Sequence, residues 1–570
     1  MNSLLLLILF LLYAGHALSQ VAPNRFWIRF ADKNNSAYSL TQPEQFLSQR
    51  AIERRTKFNI TVTDNDLPVN DSYVVAVKNL GVKILNCSKW FNSVTIDTAG
   101  CNDPAVLDKI SALPFVEGFS PVGMAKKISE YSPLKNEKNL PVVKKEVKHD
   151  ENNEYDIHYK ISEGVQWEKY GDSYTQVSMV NGHTLHERNF LGQGMVIAVI
   201  DAGFYKVDIL SAFDSLRAQG GIIATKDFVD LEDSVYEDGW HGMQVLSALA
   251  GNLPGQLIGS APKAKYLLLR SEAPAENPIE EINWASAAEY ADSAGADILS
   301  TSLGYSVFDD TLYNHSYADL NGDIIPISSA SDMAASKGMM VICAAGNEGN
   351  DEWQYITAPA DGDSVMAVGA VDATAVYASF SSKGPAADGR IKPDIAAMGK
   401  GTTVASPYGG ITKANGTSVA TPLISGFAAC LWQANPAASN MEIYRAIIKS
   451  ANQYFNPDTL LGYGIPDLFD ADLLLKGINP DSVSADKLIS LFPNPFNRDI
   501  IITFYSNSSQ VIRIELTDLT GRVILSGSNK VSVKTYNPLY LEGLSFLPGG
   551  IYLMRIVYST GTNYIKLIKQ

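Results

Sequence analysis

The chain has 570 residues, of which 46% are hydrophobic and 19% charged, with a formal net charge of −16 and a pI near 5.0. That balance supports a folded core and excludes wholesale disorder. The acidic excess argues against a nucleic-acid partner, which selects for a basic face. There are 4 cysteines, Cys87, Cys101, Cys343 and Cys430, and none forms the C-x-x-C pair of a zinc site. Cys87 and Cys101 are close enough in sequence for a disulfide in an oxidising compartment, but spacing does not decide whether they pair. Cys343 and Cys430 lie in apolar runs and read as buried free thiols.

The N-terminus is apolar from Leu4 to Tyr13, too short to span a bilayer, and is followed by the small-x-small site Ala17-Leu18-Ser19. Residues 1–19 are therefore expected to be a signal peptide, and no later stretch reaches the length of a membrane span. Residues 24–122 read as a small α+β unit. An alternating strand (Arg25–Phe30) leads to helices over 43–58 and 71–80, strands over 82–88 and 93–98, a helix starting at Asp103-Pro104, and a last strand over 116–121. Residues 123–160 are rich in lysine and glutamate without hydrophobic periodicity, which predicts an exposed, easily cut linker.

Residues 161–476 alternate apolar runs with helical stretches. The runs fall at 195–200, 266–269, 297–300, 339–345 and 365–371, and the helices at 240–253, 279–294 and 328–337. Continuous apolar strands separated by helices predict an open parallel sheet covered on both faces. After a polar join, residues 489–570 carry strand-like segments at 500–505, 511–517, 522–526 and 551–557, a length that suits a small β-sandwich.

Four segments carry side chains suited to chemistry. In Ala414-Asn415-Gly416-Thr417-Ser418-Val419-Ala420-Thr421-Pro422, Ser418 precedes an apolar helix. It would sit where free N–H groups and the helix dipole favour negative charge, although a simple helix cap is the commoner fate of such a serine. Asp201 ends the run Met195–Ile200 and precedes a turn, the sheet end where functional groups gather in open α/β folds. His241, one of only 7 histidines, is followed by Gly242, which would let another backbone approach. Asn347 ends the run 339–345 between Gly346 and Gly349, and its amide is a suitable donor to an oxyanion.

In order and spacing these segments resemble the subtilisin-like serine protease family over residues 170–475. The order Asp201, His241, Ser418 follows that family, and Gly416-Thr417-Ser418-x-Ala420-Thr421-Pro422 is its most specific string. Ala344-Ala345-Gly346-Asn347 is similar to its oxyanion strand, and Ser302-Leu303-Gly304 to the edge that pairs with extended substrate. Asp201-Ala202-Gly203 and His241-Gly242-Met243-Gln244 depart from the usual Asp-Thr/Ser-Gly and His-Gly-Thr-His. The resemblance implies a secreted endopeptidase acting on protein or peptide substrates. Ser418 would be the nucleophile, His241 the base, Asp201 its orienting partner and Asn347 the oxyanion donor, with Ser302, Leu303, Gly304, Ala344, Ala345 and Gly346 binding substrate. The alternative is an inactive surface-binding protein on the same fold.

The flanks extend the resemblance. Residues 24–122 look like a subtilisin propeptide, with processing expected in 123–160. The strings Leu491-Phe492-Pro493-Asn494-Pro495-Phe496-Asn497 and Leu547-Pro548-Gly549-Gly550-Ile551-Tyr552 look like the sorting domain of type IX (Por) secretion cargo, whose usual motif has Tyr in place of Phe492. This implies handling by the type IX machinery and a product released from, or tethered to, the outer surface of a Gram-negative bacterium, expected as a monomer. No cofactor is required. Calcium is admitted as a structural ion with no site assigned. Asp319-Leu320-Asn321-Gly322-Asp323 has the alternating oxygens of a calcium loop, but residue 330 is alanine where an EF-hand needs an acid.

Overall fold

The computed structural model describes residues 24–123, 161–163, 167–237, 239–273, 276–478, 486–506, 508–531 and 535–570. The expected signal peptide (1–19) and all of the expected linker beyond its first residue and before 161 lie outside them.

The centre is a seven-stranded, all-parallel sheet. Its strand order is Ile395–Met398, Val365–Val371, Met340–Ala344, Ile298–Thr301, Val196–Asp201, Lys265–Arg270, Ile222–Asp227. Every residue of Val196–Asp201 is buried, as a strand covered on both faces requires. Successive side chains alternate between the faces. Val196, Ala198 and Ile200 join one core with Trp284 of the helix Ile279–Ala294, whereas Ile197 and Val199 join the other with Met243 and Phe427. By the same parity Asp201 projects to the second face, where the helices Trp240–Ala250 and Thr417–Ala434 pack.

The helix Thr417–Ala434 contains Pro422. Proline has no N–H, so the carbonyl four residues back, that of Ser418, loses its intrahelical partner. The Ser302 hydroxyl replaces it, donating to the Ser418 carbonyl at 2.8 Å. A residue that would ordinarily weaken the helix thereby ties its first turn to the Ser302–Gly304 segment.

The N-terminal unit is a four-stranded antiparallel sheet ordered Lys83–Ser88, Ser93–Asp97, Arg25–Phe30, Val116–Gly123. Its helices are Gln49–Lys57, Asp71–Lys78 and Val106–Ser111. The C-terminal unit is a sandwich of two four-stranded sheets around a core that includes Phe496, Phe504, Ile514 and Ile556. The Asn494 side chain donates to the Lys566 carbonyl at 2.9 Å and accepts from Ile568 N–H at 2.9 Å, fastening the Pro-Asn-Pro segment to the last strand. The fourth strand of one of its sheets is Ile161–Glu163, which pairs with Leu539–Leu541. Those three residues therefore hydrogen-bond with the sandwich although they lead into the α/β unit.

All four cysteines are free, with Cys343 and Cys430 fully buried. Among the described residues no helix is long and apolar enough to cross a membrane.

Candidate active site

Asp201 is the last residue of its strand and is fully buried. Its Oδ1 accepts from Ala202 N–H at 2.8 Å and faces Nδ1 of His241 at 2.7 Å. The other oxygen, Oδ2, is buried and has no hydrogen-bond partner among the described residues. Ala202 explains why, since it has no hydroxyl to donate. His241 is the second residue of the helix Trp240–Ala250, and its side chain remains 39% exposed. Two glycines allow this approach. A Cβ at Gly242 would stand 2.3 Å from the Gly203 carbonyl oxygen and 2.9 Å from Asp201 Cβ. One at Gly239, which has a φ of +62°, would stand 2.3 Å from the Ala202 carbonyl oxygen.

Burial disfavours a charged imidazole at His241, but the Asp201 carboxylate beside it, with Glu272 further off, outweighs this and pushes the pKa up to about 9. Glu272 is shifted too. Burial first, then the charges of Asp201 and Glu276, push its carboxyl up to about 8, while the Tyr305 hydroxyl donates to it at 3.1 Å.

Ser418 is the second residue of its helix and 7% exposed. Its N–H belongs to the first turn, where no intrahelical acceptor exists. Gly416 precedes the helix at φ +149°, and a Cβ there would lie 2.6 Å from Ser418 Oγ and 3.6 Å from Asn347 Nδ2. The bare Cα keeps the space between the hydroxyl and the amide open. Asn347 is exposed, and its Oδ1 is held by Thr417 N–H at 2.8 Å and by the Thr417 hydroxyl at 3.1 Å. With the oxygen engaged, the amide NH2 is the end left to donate. Thr417, inside the Gly416–Pro422 motif, has a part that the sequence alone does not show. Here it orients Asn347 and also donates to the Gly346 carbonyl at 3.1 Å. Ser418 Oγ and His241 Nε2 are not hydrogen-bonded to each other.

Ser302 is joined to Ser418 as described, Leu303 is buried and Gly304 is exposed. Ala344, Ala345 and Gly346 are buried at the end of the strand Met340–Ala344. The segments approach through Thr357, which contacts the positions of both Gly304 and Gly346.

The loop at 319–323 does not fit calcium. Asp319 Oδ2 is engaged by the N–H and hydroxyl of Ser316, and Asn321 Oδ1 by the N–H groups of Asp323 and Ile324. Its oxygens close turns instead of converging on a centre. Among the described residues no group of three His, Cys, Asp or Glu side chains is arranged to hold an ion.

A buried carboxylate on an imidazole, with a serine at the N-terminus of the helix packed against the imidazole's own helix and an amide donor near that serine, suits a hydrolase of the serine-nucleophile class. Comparison with known proteins narrows this. The Subtilase family model matches residues 192–464, the Peptidase S8 propeptide domain of Bacteroidota matches 25–141, and the Secretion system C-terminal sorting domain matches 490–570. Serine protease AprX of Bacillus subtilis (strain 168) is 30% identical over 319 residues, covering 50% of this chain and 68% of AprX. Subtilisin BL of Lederbergia lenta is 31% identical over 293 residues, covering 51% of this chain and 94% of that protein. Among solved structures, prenylagaramide maturation protease PagA matches with 23% identity and a TM-score of 0.42, covering 52% of this chain and 99% of PagA. The chain belongs to the subtilase family. It is a serine-type endopeptidase made with a propeptide and exported by the type IX route to the surface or the medium.

Proposed function

We propose that the endopeptidase works through Asp201, His241 and Ser418 by way of an acyl-enzyme. The observation that carries this reading is the 2.7 Å contact between a fully buried Asp201 and Nδ1 of His241. It fixes the tautomer that leaves Nε2 free to accept a proton. Ser418 Oγ attacks the peptide carbonyl as His241 Nε2 takes its proton. Asp201 stabilises the resulting imidazolium, which then protonates the leaving amine. Water repeats the sequence on the ester. Asn347 Nδ2 and the Ser418 N–H hold the oxyanion, a donor pair of which one member is worth about 2.7–4 kcal/mol in such sites. The absence of a Ser418–His241 hydrogen bond in the free chain is compatible with this, because catalytic contacts often tighten only around bound substrate.

Substrate adds as a strand along Ser302-Leu303-Gly304, with Ala344-Ala345-Gly346 on the other side of the primary side-chain pocket. Proteins or peptides are the substrates, the enzyme is monomeric, and it stays silent until the 123–160 region is cut. Calcium has no assigned role. A fluorophosphonate probe tests the reading on the processed protein. Wild type should label and Ser418→Ala should not. A wild type that fails to label, or a Ser418→Ala variant that labels equally, would favour the inactive binding protein.

A further inference from the structure

In the C-terminal sandwich, the strand Thr535–Leu541 shows by alternation which of its side chains face inward. Leu539 and Leu541 are buried in the sandwich core. Tyr540, between them, projects from the opposite, outer face of the sandwich, yet it is only 7% exposed. The peptidase domain covers it. The buried Tyr540 hydroxyl faces the Glu187 carboxylate of the helix His183–Glu187, with Tyr170 and Tyr174 beside it. Burial there pushes the Glu187 carboxyl up to about 7, although the Tyr540 hydroxyl, Arg188 and Lys169 all favour its charged form. Tyr170 in turn belongs to the main core of the α/β unit and meets His186 Nδ1 at 3.1 Å. A tyrosine on the outside of one domain is thus buried against the wall of another.

The same strand makes a second contact. Ile161–Glu163 lies along it antiparallel, with Glu163 opposite Leu539, Ser162 opposite Tyr540 and Ile161 opposite Leu541. An open sheet edge is a template for any strand within reach. Here the strand that fills it comes from the peptidase side, since it leads into the helix Trp167–Tyr170. It also begins where the expected cutting zone at 123–160 ends, so a cut in that zone leaves the strand on the enzyme. We propose that these two contacts make the peptidase domain a docking site for its own sorting sandwich, and that the sandwich stays bound after the covalent join at residues 479–485 is cut. Strand addition supplies main-chain hydrogen bonds, and Tyr540 supplies a side-chain anchor in register with them. Each contact is short. Because both sit on one domain, formation of either holds the other at high effective concentration. The enzyme then remains wherever its sandwich is held, and cutting the join does not by itself free it. This inference does not depend on which residues carry out catalysis.

The test uses the full-length Ser418→Ala chain, which does not digest itself, with a recognition site for a sequence-specific protease built into residues 479–485. After cutting, the C-terminal fragment should co-elute with the rest of the chain on size exclusion without denaturant. A fragment that elutes alone overturns the inference. Two variants in the same background then separate docking from chance association. In an antiparallel pair the N–H groups of successive residues point alternately toward and away from the partner. Ile161→Pro combined with Ser162→Pro therefore removes the ladder donor whichever residue carries it. Tyr540→Ala leaves the strand and removes the anchor. Each should release the fragment after cutting. In the uncut chain, the amides of Leu539, Tyr540 and Leu541 should exchange with deuterium at least about tenfold faster in the proline variant, as expected for an edge that has lost its partner. A variant of either kind that folds and still co-elutes overturns the inference. If the proline variant does not fold, as judged by its circular dichroism melt, Tyr540→Ala decides the outcome.

Discussion

Asp201 and His241 form a charge pair whose pH behaviour can be worked out. The imidazole pKa is raised, so its charged form persists above the ordinary range near 6.5 and up to about 9. A general base must be neutral to accept a proton. Activity of the free enzyme should therefore climb with pH through the alkaline range, with its limb above that of an ordinary imidazole. Asp201→Asn removes the charge that raises the pKa. Its kcat/KM limb should move to lower pH while kcat falls by about 10⁴, the size of effect seen when this carboxylate is neutralised in triad enzymes. A pH–rate series on both proteins checks this, and an unmoved limb would show that Asp201 does not set the basicity of His241. At this scale the sequence revealed the four chemical groups only by their joint order, since each alone had an ordinary structural explanation. It did not reveal Thr417 or Glu272, whose parts depend on contacts across 70 and 31 residues of chain respectively. It did show that Ala202 departs from the usual residue, and the structure turns that departure into a physical consequence, an Asp201 oxygen with no donor.

Elements bring those residues together, and the helix Trp240–Ala250 does so at the tightest tolerance. Its second and third residues are His241 and Gly242. Gly242→Ala would set a methyl 2.3 Å from the Gly203 carbonyl and within 3.0 Å of the Asp201 side chain, both on rigid backbone at a sheet end. The helix must retreat, at about 1–3 kcal/mol of stability. Misplacing a catalytic group by about 1 Å can cost about 10² in rate. The variant should fold, melt lower and lose at least that factor in kcat, and thermal melts with steady-state kinetics separate the two losses. The elements themselves were largely legible from the chain. Val365–Val371 and Ile279–Ala294 match their predicted bounds, because a long apolar run and an unbroken helical stretch are strong local signals. The edge strand Ile222–Asp227 is not legible in the sequence because only Asp227 of its six residues is buried, so its pattern does not read as apolar. In the sandwich, Lys487–Phe492, Thr535–Leu541 and Gly561–Lys569 escaped notice. The last alternates buried and exposed residues only toward its end, and Thr535–Leu541 contains Pro538, which demotes a strand reading.

Across the whole molecule, the propeptide is held to the peptidase domain by buried charge. Asp292, near the end of the helix Ile279–Ala294, is fully buried and receives Arg54 at 2.5 Å, Arg55 at 2.9 Å and Lys89 at 3.2 Å from the propeptide side. Arg55 also reaches Asp66 at 2.7 Å, and Asp66 in turn holds Lys337 of the peptidase domain at 3.1 Å. Burial alone would raise the Asp292 pKa, but Lys89, Arg54 and Arg55 overcome it and hold the carboxyl down at about 2. Because this pKa is depressed on folding, the stability it lends is present above the unfolded value near 3.9 and is lost as pH falls through about 2. Asp292→Asn keeps the shape and leaves three desolvated cations facing a neutral amide. Breaking one side of a buried ionic cluster costs about 3–5 kcal/mol. For a domain of this size that lowers the melting of the propeptide by at least about 10 °C. Calorimetry on the uncut Ser418→Ala chain, with and without Asp292→Asn, reads this directly near neutral pH. The gap between the two proteins should close as the solution is taken toward pH 2, where the wild-type carboxyl is itself protonated. Equal melting near neutral pH would mean that the apolar contacts of the interface, such as Val122 against Ile279 and Ile282, hold the propeptide without help from the ion cluster. In that case proteolytic cutting between residues 123 and 160 would leave an inhibitor whose release is insensitive to acid.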